Sequence, residues 1–100
     1  MALLEKLFKK EDVGGITFKV FCIRDEKACA FISPFIYQQV GEAERFINDL
    51  VTDKNSKLSM HPSDYTLYQL GTFDTGTGAL VACIPLRICS GSDFVQKENK

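Results

Sequence analysis

The stretch YTLYQLGTFDTGTGALVACIPLRI, residues 65–88, decides the fold. Residues 65–73 alternate with the period of two that predicts a β-strand. The segment DTGTG, residues 74–78, combines aspartate, threonine and glycine and predicts a compact hairpin turn. Residues 79–84, and on to 88, then return as a second strand, in which Pro85 indicates an edge position or a bulge. The stretch therefore predicts an antiparallel hairpin.

The sequence before this hairpin predicts one clear helix and at least one more strand. Residues 41–52, GEAERFINDLVT, carry one apolar stripe at helical spacing. Residues 16–24, ITFKVFCIR, predict a strand, and residues 28–33, ACAFIS, a possible return strand that Pro34 ends. We therefore expect an α+β fold, in which an antiparallel sheet of three to four strands carries the helix at about 41–52 on one face.

The chain begins with a short amphipathic segment. Residues 2–10 are predicted to form a helix whose apolar side chains are Leu3, Leu4, Leu7 and Phe8. Such a short helix is marginal in water alone, so it must dock on the protein's own core, on a partner chain or on a surface. We expect a single domain over residues 1–100, with this helix at 1–13, a core at 16–89 and a flexible tail at 90–100.

Composition and charge narrow the class of function. The 100 residues carry 45% hydrophobic and 25% charged side chains, and the net charge is −1. This balance is ordinary for a globular domain and argues against a dedicated duplex-DNA binder, although a local basic stripe is compatible with it. The opening MALLEKLFKK is too short and too charged for a signal peptide, and no run is long enough to span a membrane. We expect a cytosolic protein.

The cysteines and the single histidine do not predict a metal or catalytic site. The cysteines are Cys22, Cys29, Cys83 and Cys89, and their spacing is unlike the close pairs that bind zinc. We expect free thiols packed as small hydrophobic residues, and no metal or cofactor. His61 lacks an identifiable catalytic partner, and the D-T-G of DTGTG suits a turn better than an aspartic protease, which needs two such carboxylates. We therefore expect that the protein is not an enzyme.

Single-stranded nucleic acid binding is the function that the composition favours most. It requires aromatic side chains on which bases stack and cations that follow the phosphates. The candidate contacts are Lys19, Arg24, Tyr68 and Arg87, with Phe18 or Phe21, Phe73 and Tyr37 as further aromatic candidates. The alternative is that the phenylalanines form the core. If the first interpretation is right, Lys19, Arg24, Tyr68 and Arg87 lie exposed on one common surface.

The segment HPSDYTLYQLGTFDTGTG, residues 61–78, resembles a motif of the small nonstructural protein of gokushoviruses, tailless single-stranded-DNA bacteriophages of the Microviridae. The motif residues of main interest are His61, Pro62, Asp64, Tyr65, Gly71, Phe73, Asp74 and Gly78. The resemblance extends over about residues 16–86 and includes Ser33, Pro34 and Phe35. Both ends of the chain lie outside it.

The resemblance implies a phage protein that acts in the host bacterial cytoplasm and is not part of the mature virion. It implies a role in the change from duplex replication to single-strand synthesis and packaging of the viral DNA, and it brings no catalytic residues. An adaptor that recruits the viral initiator, a procapsid protein or a host factor is the alternative, with Leu3, Leu4, Leu7 and Phe8 as its contact surface. Self-association, as a dimer or larger, is expected for such a small domain under either hypothesis.

Overall fold

A computed structural model describes residues 15–95 of the chain. The predicted N-terminal helix, with Leu3, Leu4, Leu7 and Phe8, lies outside these residues, as does the end of the predicted tail. The described part is an α+β fold with these strands and helices: β1 (Thr17–Asp25), β2 (Ala30–Phe31), β3 (Phe35–Tyr37), α1 (Val40–Thr52), α2 (Lys57–Met60), β4 (Tyr65–Asp74) and β5 (Leu80–Ser90). A single 3-10 turn, Pro62–Asp64, lies between α2 and β4, and a second, Gly91–Phe94, follows β5.

Within residues 15–95 the sheet has five strands, all antiparallel to their neighbours. β1 lies in the centre and pairs with β4 along one edge, and β5 pairs with the far side of β4. Along its other edge, β1 pairs first with β2 and then with β3. The prediction of three to four strands was wrong because Pro34 interrupts the return strand without ending it: pairing with β1 resumes at Phe35.

Irregularities in the β1–β4 and β4–β5 ladders decide which side chains share a face. Between β1 and β4, Val20 pairs with Gly71 but Phe21 pairs with Gln69, so Leu70 is an extra residue. The strict alternation predicted for residues 65–73 therefore fails, and Phe73 lies on the face of Tyr68 instead of that of Tyr65. Between β4 and β5, the three residues Cys83, Ile84 and Pro85 lie opposite the single residue Leu70, so β5 has two extra residues there, as expected of a proline at a bulge on an edge strand.

α1 covers only one end of one sheet face. Its apolar stripe buries Ala43, Ile47 and Val51 against the strands. The strand residues beneath it are Phe21, Ile23, Tyr65, Leu67 and Cys89. We call this part of the sheet the covered half. Phe46 of α1 extends it with aromatic contacts to Phe35 and Tyr37 of β3.

The other end of the same strands is left without such cover by the described residues. This distal half consists of Thr17–Val20, Leu70–Asp74 and Leu80–Leu86, and among these residues only Gly71 is buried. The tight turn Asp74–Gly78 closes it. Gly91–Phe94 lies at the covered end, where Ser90 caps a 3-10 turn and Phe94 packs on the core, so ordered structure continues beyond residue 89.

Two further features concern the helices of residues 15–95. The segment after α1 contains the short helix α2, which Ser56 caps by accepting a hydrogen bond from the Leu58 amide at 3.0 Å. No helix within residues 15–95 has the length and apolar character needed to cross a membrane.

Candidate nucleic-acid interface

The sheet face opposite α1 carries three of the four predicted nucleic-acid contacts, Arg24, Tyr68 and Arg87. On β1 this open face is formed by alternate residues, because side chains two apart point the same way. Directly paired residues of neighbouring strands also share a face. The open face of the sheet therefore carries Phe18, Val20, Cys22, Arg24, Phe31, Ile36, Thr66, Tyr68, Phe73 and Arg87.

A cluster of two aromatic rings and one cation occupies the end of this face that lies behind the covered half. The rings of Phe31 and Tyr68 meet edge to face with centroids 5.5 Å apart. The Arg24 guanidinium lies over the Phe31 ring, 5.7 Å from its centroid. Phe31 is 45% exposed, so the cluster presents an aromatic surface beside a cation. Such a surface is suited to stacking a base next to a phosphate contact.

Arg87 adds a second cation to the same surface. It lies directly opposite Tyr68 in the β4–β5 ladder and is exposed. Arg24 is partly neutralised, because its guanidinium also forms an ion pair with Glu26 at 2.7 Å, whereas no ion pair of Arg87 occurs within residues 15–95. Arg87 is therefore the stronger candidate for a phosphate contact.

Lys19 lies apart from the other three predicted contacts. It alternates with Phe21 on β1 and so belongs to the face on which α1 packs, where its ammonium donates to the Gln38 carbonyl at 3.3 Å. The structure thus brings together Arg24, Tyr68 and Arg87 but not Lys19. Phe21 is fully buried and Tyr37 packs on Phe46, so neither offers a ring for stacking on the open face.

Phe31 was not predicted from the sequence as a contact. The turn that precedes it places it there: the Asp25 carboxylate accepts hydrogen bonds from the amides of Lys27 and Ala28 at 3.0 and 3.1 Å. Cys29 then adopts a positive φ of 57°, and the chain reverses so that Phe31 pairs with Arg24. The aspartate at the start of a short polar turn was the available signal, since it fixes the turn and hence the register.

The four cysteines divide into two buried and two exposed thiols. Cys22 and Cys89 are buried, and burial raises the pKa of both, that of Cys89 to about 11. Cys29 and Cys83 are exposed, so the prediction that all four pack as small hydrophobic residues was wrong for these two. Each lies where the chain turns or bulges away from the core. No group of three potential metal ligands is assembled among the described side chains.

Three motif residues of the segment 61–78, Gly71, Asp74 and Gly78, determine the backbone conformation at and near the hairpin turn. Asp74 braces the hairpin turn, since its carboxylate accepts from the amides of Gly76 and Thr77 at 2.7 and 3.3 Å. Gly78 adopts a φ of +76°, and a side chain on Gly71 would clash with the Val81 carbonyl. The predicted turn at residues 74–78 is therefore confirmed.

The other motif residues shape the entry to β4. His61 is exposed, and its carbonyl accepts from the Asp64 amide at 3.0 Å across the 3-10 turn that Pro62 begins. The Asp64 carbonyl in turn accepts from the Glu26 amide at 2.7 Å. Tyr65 is buried in the core, and burial raises the pKa of its hydroxyl, as do the nearby carboxylates of Asp25 and Asp64.

Comparison with known protein families shows what the chain is similar to. The family model described as Phage ORF5 protein matches residues 18–94, which include the whole open-face cluster. No curated protein and no solved structure matches the chain.

Proposed function

The chain belongs to the Phage ORF5 protein family, and we propose that it is a non-catalytic accessory of viral DNA replication and packaging that contacts single-stranded DNA through the open face of its sheet. The proposed setting is the host bacterial cytoplasm during infection by a gokushovirus of the Microviridae, with the protein absent from the mature virion. On this proposal the protein assists the change from duplex replication to single-strand synthesis and packaging.

One observation carries the proposal of DNA contact. Arg24, Phe31, Tyr68 and Arg87 come from four different strands, and strand pairing gathers them on one surface. Aromatic rings beside cations bind single strands with little sequence preference, because every base offers a face for stacking. A single patch of this size fits a few nucleotides and not a duplex, in keeping with the net charge of −1.

A fluorescence-polarisation titration of the full chain against labelled single- and double-stranded DNA, over a salt series, tests this function. We expect tighter binding to the single strand and an affinity that falls as salt rises. Arg87→Gln should weaken binding and lower the salt slope by roughly 0.7 for one lost phosphate contact on a single strand. Phe31→Ala should weaken it by about 1–3 kcal/mol through lost stacking.

Lys19→Gln is the matched control for Arg87→Gln. Both variants remove one positive charge from the chain, but Lys19 lies on the face that α1 occupies. Equal loss of affinity in both variants would indicate a nonspecific charge effect and contradict the proposed surface. No binding at low salt would exclude direct DNA contact.

The adaptor hypothesis is the second candidate, and the exposed apolar segment of β5 favours it. Large contiguous apolar patches on small soluble domains mark sites of protein contact. On this view the protein recruits the viral initiator, a procapsid protein or a host factor, and Leu3, Leu4, Leu7 and Phe8 contribute to the contact. Under either function we propose that the protein self-associates, since a domain of this size buries a smaller fraction of its surface than a larger domain does.

A further inference from the structure

The free edge of β5 has features of a strand that needs a partner strand. Among residues 15–95, β5 is the longest strand, and within this part of the chain it pairs along one side only, with β4. Every residue from Ala79 to Arg87 is exposed, and residues 79–86, ALVACIPL, carry no charge. Soluble proteins usually protect such edges with charged side chains, prolines or shortness, because an open edge invites pairing with another chain. Pro85 is the one protective residue in this segment.

The exposed side chains of this segment point to both faces of the sheet. Leu80 is 70% exposed and pairs with Phe73, which places it on the open face, whereas its neighbour Val81 points to the opposite face. Ile84 is the most exposed of the segment's large apolar side chains, at 88%. A helix laid on one face would cover only half of these side chains. A further strand beside β5 would cover both faces and also satisfy the backbone groups of the edge.

The backbone of the segment is prepared for such pairing. The Asp74 amide donates to the Ala79 carbonyl at 3.0 Å and closes the hairpin. Hydrogen-bonded and non-hydrogen-bonded pairs alternate along an antiparallel ladder, so the N–H and C=O groups of Leu80 and Ala82 point away from β4, towards the free edge. These groups are donors and acceptors that a partner strand can use.

We propose that β5 of one copy pairs antiparallel with β5 of a second copy, joining two sheets into one continuous sheet. This interface rests on the proposed self-association and is independent of DNA contact. Without charges at residues 79–86, two identical edges approach without repulsion. On the other side of the sheet, β2 and β3 are two and three residues long and are separated by Pro34, so β5 is the long free edge among residues 15–95. Pairing it with itself closes a two-fold dimer that leaves no long edge open.

The register follows from the side chains. A two-fold axis at Ala82 runs the new ladder over Leu80–Ile84 and leaves Pro85, which has no N–H, outside it. It also places the small Ala82 side chain at the axis, where the two copies of this residue lie directly opposite each other. Ile84 of each copy then lies beside Leu80 of the other, next to an apolar depression of about 220 Å³ that is lined by Val20, Leu70, Leu80 and Ala82 among others.

Analytical ultracentrifugation of the full chain without DNA, at about 0.1 mM, a concentration at which weak complexes form, tests the interface. We expect twice the monomer mass of 11.2 kDa. Ile84→Asp should raise the dissociation constant at least about tenfold, because it buries an unpaired charge beside Leu80. Met60→Asp, at a residue of α2 that is 68% exposed, is the matched control and should leave the dimer intact. Circular dichroism checks that both variants fold.

Oxidation tests the register. In a chain with Cys29→Ser and Cys83→Ser, Ala82→Cys should form an intermolecular disulfide, because Cα atoms of directly opposed residues lie about 5.5 Å apart, within disulfide range. A chain that retains Cys29 as its one exposed thiol should not cross-link. A monomeric wild-type chain would overturn the proposal and leave the edge to a different protein partner. A dimer that survives Ile84→Asp would preserve self-association but overturn this interface.

Discussion

The covered and distal halves of the sheet are built from the same three strands, yet only one of them is a protein interior. In the covered half, Leu67 of β4 is 1% exposed beneath α1. In the distal half, Leu80 of β5 has the same kind of side chain and is 70% exposed. The three strands pair in both halves, on either side of the bulges at Leu70 and Pro85, so backbone hydrogen bonding does not distinguish the halves.

The difference shows that pairing and burial are separate sources of stability in this fold. α1 is 13 residues long and reaches only one end of strands that are 9 to 11 residues long. Its apolar stripe stabilises the end that it covers. The distal half keeps its shape through the hairpin turn and the ladders, and it leaves its apolar side chains available for a partner. Among residues 15–95, the sheet therefore has one buried end and one end whose apolar side chains are exposed.

The same substitution in each half should give the largest contrast. Leu67→Ala removes a fully buried side chain and should lower the free energy of unfolding by about 2–5 kcal/mol. Leu80→Ala should cost less than about 0.5 kcal/mol in the monomer, because that side chain already contacts water. Urea unfolding of both variants in the Ile84→Asp chain, where association does not contribute, measures the two values. Similar losses in both would show that the distal half is covered.

The reactivity of two thiols on β5, Cys83 and Cys89, measures the same difference in burial between the two halves. Burial, with help from Glu44 and Asp93, raises the pKa of Cys89 in the covered half from its ordinary value near 9 to about 11, whereas Cys83 in the distal half is exposed. The thiolate is the reactive form, so two units of pKa lower its fraction at neutral pH about a hundredfold. Mass spectrometry after iodoacetamide treatment of the Ile84→Asp chain should show Cys83 modified first and Cys89 protected. In concentrated urea the two should react alike.

The sequence predicts the helix and strands of both halves better than it predicts which part of the sheet the helix covers. The helix predicted at 41–52 is confirmed as Val40–Thr52, and the hairpin of β4 and β5 is confirmed around the DTGTG turn. These are local features, fixed by helical spacing and by turn residues. How far α1 reaches along the sheet is a tertiary property, and alternation along a strand does not encode it.

The candidate site was only partly predictable for the same kind of reason. Arg24, Tyr68 and Arg87 were named from their residue types, but their grouping depends on register. The extra residue Leu70 shifts that register and reverses the faces beyond it, so that Phe73 joins the open face. Phe31 was missed because its position depends on the turn before it, and Lys19 was included because strand parity relative to α1 was unknown.

Gly71 of β4 lies where the two halves meet, and its substitution tests how much the pairing of β4 with β5 contributes to stability. Any side chain there would clash with the Val81 carbonyl, so Gly71→Ala must push β5 away from β4. We expect a loss of about 1–3 kcal/mol in unfolding free energy. Gly41→Ala is the matched control, since nothing lies within 4 Å of that position and alanine favours the helix by about 0.5–1 kcal/mol. Urea unfolding measures both, and an unchanged Gly71→Ala chain would mean that the strands separate there without cost.

The smallest effect on the free energy of unfolding should come from a substitution at the first turn of α1, the helix that packs on the covered half. The Glu42 carboxylate accepts hydrogen bonds from the amides of Gln38 and Gln39 at 3.1 and 2.9 Å, and so satisfies two donors before the first turn. Glu42→Ala should cost about 0.5–1 kcal/mol, whereas Glu42→Gln, which keeps an acceptor at the same reach, should cost less. Because α1 shields Cys89, the alanine variant should also increase the rate at which that thiol is alkylated, with no change at Cys83. A Glu42→Ala chain that loses stability but keeps Cys89 fully protected would show that the helix covers the core without its cap.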